Sequence, residues 1–151
     1  MRLTDDEYNA LISRRTKAGL AESHDSGVGK ATGQSRRVQQ LTQIIRQSRK
    51  GLTKPEQLLL AEFLLPMLAT GEIDEIGEHE SIRLKLANGL TYKPDFPTWK
   101  GHKLIFYEAK GERVWEDALK SLKVAAHQYR RFGFWLYKYV KGQWTWQEVL
   151  P

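Results

Sequence analysis

The chain has 151 residues, no cysteine and a formal net charge of +6. That length suits one domain of ordinary size with an arm, and 40% apolar residues with five Trp exclude a wholly disordered chain. Without cysteine there are no disulfide scaffolds, zinc–thiolate sites or thiol nucleophiles, and a reducing cytoplasm is the expected setting.

No apolar run approaches bilayer-spanning length, and Met1–Glu7 lacks an apolar h-region, so neither a membrane span nor a signal peptide is expected. The basic balance favours a polyanionic partner, nucleic acid first. Residues 1–53 hold ten Lys/Arg against five Asp/Glu, whereas residues 54–151 hold fourteen against thirteen. The excess positive charge therefore sits in the N-terminal third. A solvated basic face with no partner is the bland alternative.

Thr4 to Gly19 is expected to be a short helix, with Thr4 and Glu7 at capping-box spacing and Tyr8, Leu11 and Ile12 on one face. A Gly/Ser-rich linker follows, about residues 20–35. Its Gly27–Thr32 stretch lacks phosphate-loop spacing, so no nucleotide cofactor is expected. Arg36 to Lys50 is a second, basic helical segment with Val38, Leu41, Ile44 and Ile45 at helical spacing, and Gly51 closes it. Residues 1–51 thus read as a basic helical arm and residues 52–151 as the compact domain.

That domain opens with Thr53 as N-cap and Pro55 close to a helix start. Leu58, Leu59, Phe63, Leu64, Met67 and Leu68 form its apolar stripe. Pro66 is expected to kink its last turn and Gly71 to end it. His79 to Leu86 alternates as a half-buried strand, with Ile82, Leu84 and Leu86 inward. Ala87–Leu90 is expected to be a type I′ hairpin turn because of Asn88-Gly89. Thr91–Phe96 would return as a strand, Thr98–His102 would be a turn, and Lys103–Ala109 a third, more apolar strand. Trp115 to Arg131 is helical, with Leu119, Leu122, Ala125, Ala126 and Tyr129 inward. Phe134–Val140 and Trp144–Val149 close the chain as strands around Lys141-Gly142. The order predicts an α/β (α+β) fold with a mixed central β-sheet flanked by helices.

Two short motifs carry the chemistry: Lys93-Pro94-Asp95-Phe96 and Tyr107-Glu108-Ala109-Lys110-Gly111. Period-two geometry puts Glu108 and Lys110 on one face and Ala109 on the other. With a turn soon after Asp95, antiparallel pairing would leave Asp95 near the turn and Glu108 far from it. They meet only if residues 96–101 make a long bent excursion, or if the strand carrying Asp95 is short and offset. Together, two carboxylates suit a hard divalent ion such as Mg²⁺, which polarises a phosphoryl oxygen and activates water. Lys110 would orient that water. Glu56, on the leading helix, would complete the acidic set. The bland counterparts are a strand-ending Pro-Asp turn, a solvent-facing Glu108–Lys110 pair, and a Glu56 that only favours its helix dipole.

A helix Glu followed by Pro-Asp and then Glu-x-Lys resembles the PD-(D/E)XK nuclease superfamily, and looks most like small phage-encoded endonucleases, including phage-type Holliday-junction resolvases. The resemblance covers residues 53–149 and leaves out the arm. It implies a restriction-endonuclease-like core with a bent hairpin. It implies Asp95, Glu108 and the Ala109 carbonyl as metal ligands, Glu56 as the helix acid and Lys110 as the motif lysine.

Lys120, Lys123, Arg130 and Arg131 on the following helix, and Arg36, Arg37 and Arg46 in the arm, are expected to contact DNA phosphates. His102 and His127 are expected to be structural or exposed. The strand aromatics are expected to be mostly core. The functional expectation is a Mg²⁺-dependent endodeoxyribonuclease, with Mn²⁺ as substitute, acting on duplex or branched DNA. It would act as a homodimer in phage or mobile-element DNA processing within a bacterial cytoplasm. The competing expectations are a catalytically idle DNA-binding or assembly module and a sequence-specific restriction or transposition-type nuclease.

Overall fold

The computed structural model describes residues 51–112 and 116–151. The expected helix at Thr4–Gly19, the linker, the basic segment with Arg36, Arg37 and Arg46, and Trp115 lie outside the described residues. The chain divides into two compact units between Ile73 and Asp74, and each is taken by itself.

In the first unit, α1 (Lys54–Leu59) starts on the extended N-cap residue Thr53, with Pro55 in its first turn. Pro is tolerated there because the first helical N–H groups have no intrahelical partner. The Thr53 N–H donates to Glu56 Oε2 at 2.8 Å. Leu60–Leu64 then widens into a π turn, in which the Leu65 N–H reaches the Leu60 carbonyl. α2 (Leu65–Thr70) continues to Gly71, whose left-handed φ of 83° ends it. The disturbance by Pro66 thus lies ahead of the proline and not in the last turn, where the sequence placed it. Proline has no N–H for the carbonyl four residues back and its ring crowds that carbonyl; a wider preceding turn relieves both. Leu58, Leu59, Leu64 and Leu68 are buried as expected.

The second unit holds a five-stranded sheet ordered β1-β4-β5-β6-β7 and a separate two-stranded ribbon, β2 with β3. The sheet strands are β1 (Glu75–Ile76), β4 (Phe96–Lys100), β5 (Lys103–Lys110), β6 (Gly133–Val140) and β7 (Gln143–Glu148). The ribbon is β2 (Leu84–Lys85) and β3 (Thr91–Tyr92). β5 and β6 are parallel and the other pairs antiparallel, so the sheet is mixed and the class is α+β, as expected. A parallel pair needs a crossover, which α3 (Glu116–Gln128) supplies. Its Leu122, Ala125 and Ala126 pack with Phe106, Phe134 and Leu136 from the sheet, Leu84 and Tyr92 from the ribbon, and Leu86 just after β2. Leu119 and Tyr129 join that core from its margin.

Four expectations change. Of the strand expected at His79–Leu86 only Leu84–Lys85 is paired, although Leu84 and Leu86 are buried and Ile82 packs on the core as the alternation required. Residues Ala87–Gly89 form a 3₁₀ turn in place of a type I′ turn, closed by the Leu86 N–H to the Leu90 carbonyl at 2.7 Å. The strand expected at Thr91–Phe96 splits, because Pro94 cannot donate to a ladder: Tyr92 ends the ribbon and Phe96 begins β4. Thr98–Lys100, expected in a turn, is strand. The turn is only Gly101-His102, with Gly101 at φ 56°, as a two-residue hairpin loop requires at its first position. Among the described residues no helix is long and apolar enough to cross a membrane.

Candidate active site

β4 and β5 pair from Lys100↔Lys103 at the turn to Phe96↔Tyr107. One step further from the turn, Asp95 comes level with Glu108. No bent excursion is needed. Asp95 lies just before β4, at the end remote from the turn, and Glu108 lies at the remote end of β5. The Ala109 N–H donates to Asp95 Oδ2 at 2.7 Å, which ties the Pro-Asp segment to β5 beyond the last ladder pair. The Asp95 carbonyl also accepts from the Glu80 N–H at 3.0 Å. Asp95 therefore does more than end a strand.

Glu108 and Lys110 are not a solvent-facing pair. Asp95 is 4% exposed and Glu108 5%. The Lys110 ammonium pairs closely with Glu108 Oε1 and lies 3.9 Å from Asp95 Oδ2. The Tyr92 hydroxyl donates to Glu108 Oε2 at 2.6 Å. Burial first, then the negative charge of Glu108, drives the Tyr92 phenol well above its ordinary range. It stays a donor at any working pH, with Glu108 as the acceptor. A ring nitrogen of His79 and a carboxylate oxygen of Asp95 lie within 4.8 Å of one another, and the His79 ring packs on Phe96 with centroids 5.4 Å apart.

Two carboxylates, one imidazole and one ammonium thus converge in a largely buried spot. Buried ionised groups are paired or bind metals, and oxygen donors of this kind suit a hard divalent ion. The His79 ring nitrogen and the Asp95 carboxylate oxygen are close enough to share such an ion. The Ala109 backbone lies between Glu108 and Lys110, and its N–H serves Asp95.

Glu56 belongs to the first unit, at the third position of α1, where its carboxylate accepts from Thr53. Lys120 makes ion pairs within its own helix, with Asp117 at 3.4 Å and Glu116 at 3.9 Å. Lys123 and Arg131 are exposed, and exposed Arg130 reaches the His127 carbonyl at 3.2 Å. His127 and His102 are exposed.

Sequence reasoning missed Tyr92 and His79. Tyr92 stands one residue before the first motif, in a strand expected there, but the sequence does not show that its hydroxyl meets Glu108. His79 had no signal, because the segment expected as strand around it is irregular.

No protein-family model matches the chain, and no curated protein does. A solved structure titled "Crystal structure of SSO0001" is similar at 13% identity, covering 94% of this chain and 76% of that one, with a TM-score of 0.41. A likeness that slight carries no argument about fold or function.

Proposed function

We propose that this chain is a divalent-metal-dependent DNA endonuclease, selective for branched DNA and working in phage or mobile-element DNA processing in a bacterial cytoplasm. The observation that carries the reading is the meeting of Asp95, Glu108 and Lys110 at the remote ends of β4 and β5, both carboxylates buried. The motif resemblance and the basic balance of the chain support it.

Bound Mg²⁺ would supply a Lewis acid for the phosphoryl oxygen and lower the pKa of water. Asp95 and Glu108 would hold it, with the Ala109 carbonyl as the further ligand the resemblance implies. The Ala109 N–H fixes the Asp95 carboxylate, and Tyr92 fixes that of Glu108. Lys110 offsets negative charge beside the two carboxylates and would orient the attacking water.

The test is cleavage of a four-way junction, a flap, a nicked duplex and a plain duplex, each in Mg²⁺ and in EDTA. Metal-dependent cutting that favours the junction is expected. Asp95→Ala, Glu108→Ala and Lys110→Ala should each lower the rate by on the order of 10²-fold or more while DNA binding persists. Undiminished cleavage by Asp95→Ala would overturn the assignment. Salt-sensitive binding with no cleavage in Mg²⁺ or Mn²⁺ would identify an idle binding module instead.

A further inference from the structure

We propose that Lys138, Thr145 and Gln147 form a second subsite, one that takes a backbone phosphate of the DNA strand neighbouring the scissile phosphate. The proposal rests on the endonuclease reading for its choice of DNA as ligand.

The sheet itself lays out the subsite. β6 runs parallel to β5 with Glu108↔Leu136 and Lys110↔Lys138 in register. Residues paired in this way share a face, on strands about 4.8 Å apart. β7 then places Gln147 opposite Leu136 and Thr145 opposite Lys138. The face that carries Glu108 and Lys110 therefore continues across two more strands as Leu136 and Lys138, then Gln147 and Thr145. Leu136, Lys138, Thr145, Trp146 and Gln147 line a depression of about 90 Å³. Leu136, 2% exposed, is part of the buried core beneath. The polar groups around it are an ammonium, a hydroxyl and a carboxamide.

That set matches phosphate oxygens, which only accept, and no carboxylate lines the depression to repel them. Lys, Thr and Gln are among the side chains that position DNA through its backbone. Lys110 has two carboxylates within 4.0 Å, and Lys138, like Lys103, has none among the described residues. Lys110 is committed to Glu108, so the next phosphate along a strand needs a different cation. Lys138 is the cation on the adjoining strand, at the same level and on the same face.

The experiment measures duplex and four-way-junction binding in EDTA against salt concentration, for the full chain and its variants. Lys138→Gln should reduce the slope of log K against log salt by about 0.9 on duplex DNA, the release of one counterion. It should weaken binding evenly across sequences. Lys138→Arg should keep the wild-type slope, which separates lost charge from lost folding. Thr145→Val should weaken binding with the slope unchanged. Lys103→Gln, at the turn end of β5, is the control and should leave both unchanged. An unchanged slope in Lys138→Gln overturns the subsite, and so does an equal fall in Lys103→Gln. A reduced slope in Lys138→Gln together with wild-type protein that never cleaves in Mg²⁺ supports the subsite and overturns the endonuclease reading. Cleavage with no slope change overturns the subsite alone.

Discussion

The Glu108 carboxylate is held at both oxygens, by the Tyr92 phenol on one and the Lys110 ammonium on the other. Outer-shell partners of this kind orient metal ligands, and their loss commonly costs about 10–100-fold in metal affinity or activity. Tyr92→Phe should therefore raise the Mg²⁺ concentration for half-maximal cleavage by about tenfold, while DNA binding stays unchanged. A Mg²⁺ titration of the initial rate checks this. The same phenol makes a prediction for the metal-free protein. Its folded-state pKa lies far above the unfolded value, near 10, so its contribution is fully present below pH 10. Above that, the unfolded chain loses the proton and the native state keeps it. The Tyr92 contribution should then fall by about 1.4 kcal/mol per pH unit. Urea unfolding in EDTA from pH 9 to 11 should show wild type losing stability faster than Tyr92→Phe.

At the scale of the element, the start of α1 sets two roles of Glu56 against each other. As a cap it needs only an acceptor oxygen, which Gln also provides. Glu56→Ala should cost about 1 kcal/mol of stability, and Glu56→Gln far less. The resemblance to metal-dependent nucleases predicts that Glu56→Gln loses cleavage at nearly unchanged stability; retained cleavage would confine Glu56 to the cap. Beside β4, a Cβ on Gly77 would meet Pro97 Cγ and Trp99 Cζ3 at 2.9 Å. Gly77→Ala should destabilise by about 1–3 kcal/mol through overpacking, read from urea midpoints. Those contacts were not legible in the sequence, which is silent on what lies opposite a glycine. What was legible followed a clear period: the inward residues of α3, the alternation of Ile82, Leu84 and Leu86, and the β6–β7 hairpin around Lys141-Gly142. Asp95, Glu108 and Lys110 were legible as a set, but for an incomplete reason. The turn was placed at Thr98–His102, whereas pairing runs on to Lys100↔Lys103 and only Gly101-His102 reverses the chain.

At the scale of the whole molecule, charge and symmetry carry the remaining expectations. Ten Lys/Arg against five Asp/Glu in residues 1–53 predict that removing the arm weakens DNA binding most at low salt. A resolvase that makes paired cuts needs two active sites, so sedimentation of the DNA complex should report two chains. A single chain on the junction would favour a nonspecific nuclease.

The tight turn at Gly101-His102 also has a consequence for length. In a hairpin closed by two residues, partners always differ by an odd number, and Asp95 and Glu108 stand thirteen apart. One residue inserted between Pro97 and Phe106 would bring Tyr107 or Ala109 level with Asp95, or force a bulge. Two insertions placed symmetrically, one in each strand, would restore the pairing. Length variants selected for cleavage should therefore carry such changes in compensating pairs, a signature that no single substitution could reveal.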